Sequence, residues 1–254
     1  MISTKVGLKA EHMGDFAAEV QRSIDASLAR LKLDQVDLLQ LHNTIGLPDR
    51  HGTLDARQML EELVPAFDKI RQSGKAKYFG FTAKGSPELL HQWVASGAFD
   101  SAQIFYNLLV PSAGEVVPEN YPAVNYELLL AAARDHGVGS IGVRVLAGGA
   151  LSGSEQRHPL GMPVVAPIGG SIDADYASDV KSGLLFQPLV EKGFASSLPE
   201  LAMRYSISHP HMCTTEIGVA TIEELQQAVA AVNCGPLDSQ AFDEIKVIQS
   251  GLCV

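Results

Sequence analysis

His42 ends the run V-D-L-L-Q-L-H, a short, almost wholly apolar stretch that delivers one imidazole at its C-terminal end. A histidine so placed can act as a general acid, as a donor that polarises a carbonyl, or as a metal ligand. It can equally cap the strand or face water. Lys5 sits inside the β-branched run I-S-T-K-V, and a charge in such a setting must reach solvent, a partner or a substrate. Its amine could form a Schiff base or lower the pKa of a neighbouring group, or simply mark the exposed end of a strand. Gln103, among apolar neighbours in A-Q-I-F-Y, is a buried amide that needs partners, which a ligand's own amide can supply. Arg144, in I-G-V-R-V-L, is the best single anion clamp in the C-terminal half. Gly218 to Thr221 opens a helix, whose free N–H groups and dipole favour an anion. Thr221 and Glu224 also form a capping box, a structural reading sufficient on its own. Gly148, Gly149 and Gly153 make a loop that could approach a pyrophosphate closely.

The elements that must position these residues alternate. Strands are expected at Ile2–Val6, Val36–Leu41, Tyr78–Thr82, Ala102–Tyr106, Ser140–Val145 and Cys213–Ile217. Helices are expected between them, read from apolar spacings of three and four. The first runs Phe16–Leu31, with Val20, Ile24, Leu28 and Leu31 on its apolar face and Asp15 as N-cap. The second, from Ala56 to Ser73, contains Pro65 and is expected to kink there. Ser86-Pro87 starts a third, Tyr126–His136 is a fourth, and Leu198–Ser208 is another. Leu225, Val229 and Val232 mark the apolar face of the helix after Thr221, and Gln240–Gln249 closes the chain. The loop after Asn43 carries Gly46, Pro48 and Gly52, and an irregular insertion spans about 147–197. Strands alternating with helices imply a parallel sheet of right-handed βαβ units in one domain, 1–254, with ligands at the C-terminal edge of the strands.

A net charge of −10 without a Lys/Arg cluster excludes a phosphate-tracking nucleic-acid surface. With 46% hydrophobic and 19% charged residues the chain has ample material for a core, and no apolar run is long enough for a membrane span. Cys213, Cys234 and Cys253 stand far apart in no metal-ligand spacing, which suits reduced thiols in the cytoplasm. Met1 leads straight into I-S-T-K-V-G, without the pattern of a signal peptide.

Five stretches taken together resemble the aldo-keto reductase family: I-S-T-K-V; S-L-A-R-L-K-L-D-Q-V-D-L-L-Q-L-H; S-G-K-A-K-Y-F-G-F-T; Q-I-F-Y-N-L-L; and G-V-G-S-I-G-V-R-V-L-A-G-G-A-L-S-G. A sixth, A-M-R-Y-S-I-S-H-P followed by E-I-G-V-A-T-I-E-E-L, is similar to the family's closing cofactor segment. The resemblance implies a (β/α)8 barrel that reduces aldehydes and ketones with NADPH, less often NADH. It implies that Lys5 and His42 belong to a catalytic set of Asp, Tyr, Lys and His, in which the Tyr donates the proton and the His orients the carbonyl. Gln103 matches the glutamine that holds the nicotinamide carboxamide, and Thr82 stands at the serine of a Ser-Asn pair. Arg144 stands as a subgroup's phosphate clamp, and Leu146, Gly218 and Thr221 complete the cofactor-facing set. Some positions depart: Ala83 replaces the asparagine, Val143 an aromatic ring, Glu224 an arginine on the 2′-phosphate, and Ala228 an asparagine at adenine. The family's first two βα units, which carry the Asp and Tyr, precede the I-S-T-K-V strand. At ~30 residues per unit, roughly 60 residues are expected to be absent. The expected architecture is therefore a barrel of this type truncated to six parallel strands. The expected role is carbonyl reduction, with a non-catalytic binding or regulatory subunit as the alternative. An open strand edge would favour self-association or a protein partner, and a Schiff-base lyase acting through Lys5 is a third reading.

Overall fold

The computed structural model describes residues 1–12, 14–46, 54–156, 158–159 and 175–253. Pro48 and Gly52 of the expected loop, and 160–174 of the expected insertion, lie outside the described residues. Six strands follow one another in sheet order β1-β2-β3-β4-β5-β6, and the chain divides into two compact units.

The first unit comprises Met1–Gln103 and Ala132–Gly139. Its elements are β1 (Ser3–Val6), α1 (Phe16–Leu31), β2 (Val36–Leu41), α2 (Ala56–Gln72), β3 (Ala76–Thr82), α3 (Pro87–Ala95), β4 (Ser101–Phe105, through Gln103) and the end of α4 (Leu129–Asp135). Parallel register aligns Lys5 with Gln40, Gln40 with Gly80 and Gly80 with Ser101. Side chains alternate between faces along a strand, so these four form one row on one face. His42, Thr82 and Gln103 follow two residues later as the next row. Gly80 is required in the lower row: a Cβ there would sit 2.8 Å from the Ser101 carbonyl oxygen and overlap its hydroxyl. Phe79 and Phe81 point the opposite way, into the helices. Phe79 stacks on Phe67 of α2 at 4.5 Å, while Phe81 packs on Trp93 of α3 at 5.5 Å and on Phe99 at 4.8 Å.

Local chemistry departs from expectation at several points. Asp15 precedes α1 but makes no side-chain cap, and Leu31 is 44% exposed because the helix ends there on a left-handed Lys32. Pro65 does not break α2, where it lies on the exposed side of an uninterrupted helix. Asp55 caps that helix, accepting from Gln58 N at 2.8 Å.

The second unit comprises Ile104–Ala131 and Ser140–Val254. Helix α4 begins at Leu129 rather than Tyr126, since Glu127 and Leu128 have φ of 52° and 61°. There the backbone bonds to a loop instead: Tyr126 N donates to Ser112 Oγ at 3.0 Å and Leu128 N to Ser112 O at 3.0 Å. β5 (Gly139–Val143) stops before Arg144, whose φ is 55°. The stretch read as irregular contains a 3-10 turn (Ala147–Ser152), α5 (Tyr176–Leu184) and α6 (Gln187–Glu191). After α7 (Leu198–Ser208), β6 is only Thr214–Thr215, parallel to β5. Helix α8 (Ile222–Asn233) and α9 (Ser239–Gly251) complete the chain.

The apolar face assigned to α8 is overturned. Leu225, Val229 and Val232 are 47%, 54% and 47% exposed, whereas Ala228 and Ala231 are buried. Those small residues pack with Met203 of α7 and with Val145. Two alanines present no bulk that would hold the helix backbones apart. No helix among the described residues is long and apolar enough to cross a membrane.

Candidate active site

In the first unit, β2 and β3 bring His42 and Thr82 side by side, and β4 brings Gln103. Thr82 Oγ1 donates to Gln103 Oε1 at 2.8 Å and lies 2.9 Å from His42 Nδ1. A hydroxyl has one proton to give, so with that proton on Gln103 it accepts from His42 Nδ1–H. The neutral ring then carries its proton on Nδ1. Thr82 is 3% exposed and Gln103 1%, so this chain is shielded from competing water. Lys5 shares the face, one row down in register, and its side chain is exposed to solvent.

Three supporting residues went unread in the sequence. Asn43 clamps the loop after β1, accepting from Leu8 N at 2.8 Å and donating to Leu8 O at 2.7 Å. Its neighbour His42 is tied to the same strand by N–H donation to Val6 O at 2.8 Å. Lys84 Nζ donates to the His42 carbonyl at 3.2 Å and so holds the backbone at that residue. Asn107 is fully buried; its Nδ2 donates to Arg144 O at 2.9 Å while its Oδ1 accepts from Leu109 N and Val110 N. An Asn directly after an apolar strand, as in F-Y-N, is the one signal that could have flagged it. Chain position alone does not show that Asn107 and Lys84 reach back to Arg144 and His42.

The second unit holds a cavity of about 700 Å³, whose lining includes Arg144, Leu146, Gly149, Gly218, Glu224 and Ala228. It therefore collects Arg144, Leu146 and Gly218 of the sequence-derived set. Thr221 stands beside it as N-cap of α8, in a complete capping box with Glu224. A Cβ on Gly218 would meet nothing within 4 Å, so the backbone there faces open space. Gly148 and Gly149 adopt φ of 69° and 106°, conformations that glycine takes without strain, and the Tyr176 side chain lies against Gly149. Burial pushes the Tyr126 phenol above its usual range, and the charge of Arg144 works against that shift. A guanidinium beside the open backbone of Gly218 in one cavity fits the pyrophosphate of a dinucleotide. Gln103 fits the carboxamide of a nicotinamide, because an amide can both donate and accept.

The sequence description of the Aldo/keto reductase family matches residues 1–250. The chain belongs to this family. Among aldo/keto reductase relatives, L-galactose dehydrogenase of Arabidopsis thaliana is 28% identical over 249 residues, covering 96% of this chain and 66% of that protein. Aflatoxin B1 aldehyde reductase member 2 of Homo sapiens is 26% identical over 242 residues, covering 88% and 62%. An aldo-keto reductase from Bacillus halodurans, solved in a holo form, superposes with a TM-score of 0.63 at 21% identity, over 98% of this chain and 71% of that one. That likeness concerns the fold. The chain spans just under two thirds of the length of these two curated relatives.

Proposed function

We propose that these residues serve the nicotinamide-dependent reduction of an aldehyde or ketone. The observation that carries this reading is the shielded His42–Thr82–Gln103 chain. It links the residue that matches the family's carbonyl-orienting histidine to the one that matches its carboxamide-holding glutamine. A reduced nicotinamide would supply a hydride from C4 to the carbonyl carbon. His42, held by Thr82 at Nδ1, would orient the carbonyl. The Lys5 ammonium adds positive charge on the same face, which favours the developing alkoxide. In the family the proton itself comes from a tyrosine paired with Lys and Asp, and neither that Tyr nor that Asp is matched within residues 1–254.

Two measurements test this reading. The purified 254-residue polypeptide should bind reduced nicotinamide dinucleotide, followed by nicotinamide fluorescence. Arg144→Ala should weaken that binding roughly 10- to 100-fold, the loss expected for hydrogen bonds to a charged group. Turnover of an aldehyde panel should lie ~10²–10⁴-fold below that of a complete family site, for want of the proton donor. Absence of dinucleotide binding would sink the reading, and full turnover would sink the predicted shortfall.

A second reading, a partner-binding subunit, draws support from β1, whose one sheet neighbour among the described residues is β2. One relative, 23% identical, carries the name putative voltage-gated potassium channel subunit beta, from Schizosaccharomyces pombe. An edge strand is a template for pairing, so sedimentation of the 254-residue polypeptide should reveal self-association. A monomer at all concentrations counts against it.

A further inference from the structure

The second unit's cavity carries its charges unevenly. Among the described residues lining it, the one permanent cation is Arg144, against two carboxylates, Glu216 and Glu224. A dinucleotide's pyrophosphate already calls on that cation. A 2′-phosphate adds about −1.5 to −2 more charge at pH 7. The ordinary substitute for a second cation would be the N–H groups at the start of α8, and three of the N–H groups around that start are already bonded. Glu224 Oε2 accepts from Ala220 N at 2.5 Å and from Thr221 N at 3.3 Å, while Thr221 Oγ1 accepts from Glu224 N at 3.1 Å. The carboxylate of Glu224 thus occupies the anion position at this end of the cavity.

We infer that the cavity selects NADH over NADPH and that Glu224 is the selecting residue. The inference rests on the dinucleotide reading above and narrows it. A phosphate dianion brought to this helix start would have to displace a carboxylate or lie beside it, in surroundings where like charges repel. A ribose diol carries no charge and can donate its hydroxyl protons to the same carboxylate. The family resemblance favours NADPH. What reverses that expectation is the replacement of an arginine by a glutamate that is already bonded to the local N–H groups. If Glu224 served only to cap α8, its charge would have no bearing on the choice of dinucleotide.

The test is a fluorescence titration of the 254-residue polypeptide with NADH and with NADPH, for the unmodified chain, Glu224→Gln and Glu224→Arg. Glutamine keeps an acceptor for the capping box and removes only the charge, so it holds α8 in place even if the arginine variant misfolds. The unmodified chain should bind NADH about tenfold or more tighter than NADPH, a difference that shrinks as salt screens the repulsion. Glu224→Gln should bring the two affinities to within about threefold, and Glu224→Arg should invert them. NADPH binding as tightly as NADH would overturn the inference while leaving the dinucleotide reading intact. A preference unchanged in Glu224→Gln would overturn the role of Glu224 and the inference with it. Failure of both dinucleotides to bind would overturn the reading and the inference together.

Discussion

Gly85→Ala is expected to lower stability by about 2–6 kcal/mol, combining a strained backbone with overpacking, and to unseat the loop that follows His42. Gly85 has φ of 139°, and a Cβ there would overlap the Ile45 carbonyl oxygen and lie 2.7 Å from Ile45 N. The contact joins two loops at the reactive edge of the sheet. Ile45 N donates to Lys84 O at 2.7 Å, Ser86 N donates to Ile45 O at 3.0 Å, and Ile45 and Gly85 form a parallel bridge. Backbone cannot yield as a flexible side chain can, so the loop from His42 to Ile45 must move instead. Chemical denaturation reads the loss, and the NMR shifts of the His42 ring read the displacement. Gly97→Ala is the control: its φ is 71°, yet nothing lies within 4 Å of an added Cβ, so only a backbone cost of about 1–2 kcal/mol applies. Equal effects of the two substitutions would show that the Ile45 contact is unimportant.

Phe81→Ala should cost about 3–5 kcal/mol, the range for a large aromatic removed from a core. Phe81 is fully buried between Trp93 and Phe99, whose own rings stack at 5.3 Å. Neither ring can collapse into the vacated space without giving up contact with the other, so the cavity persists and the cost sits high in that range. Because Phe81 and Thr82 are consecutive on β3, the substitution also loosens the strand that carries the hydroxyl of the His42 relay. Urea denaturation should show a lower midpoint with little change in slope. A shift below 1 kcal/mol would mean that the cluster repacks.

The alternation of strands and helices was legible because it is written in local chemistry. β2 and α7 occur where apolar runs and spacings placed them, and the capping box at Thr221 and Glu224 formed as its residues required. Boundaries failed where a single backbone dihedral decided. Arg144 ended β5 and Glu127 with Leu128 delayed α4 through positive φ, which no side-chain pattern announces. The face of α8 failed for a different reason: helical spacing finds an aliphatic stripe, but burial depends on which neighbour arrives. Here α7 and Val145 met the alanine side.

Much of the candidate site followed from residue type and order. His42 and Gln103 lie at strand positions from which the parallel register must bring them to one edge, and Arg144 and Gly218 lie in two of the stretches that carry the family resemblance. Two things came only from the tertiary structure. Thr82 is the hub between His42 and Gln103, and Asn107 and Lys84 hold the backbones of Arg144 and His42. The division has one physical cause. Periodicity and strand order are set by neighbours three or four residues away or by a repeating register, so they survive in a linear string. The direction of a hydroxyl proton or the partner of a buried amide is set by atoms distant in the chain, and only folding brings those within hydrogen-bonding reach.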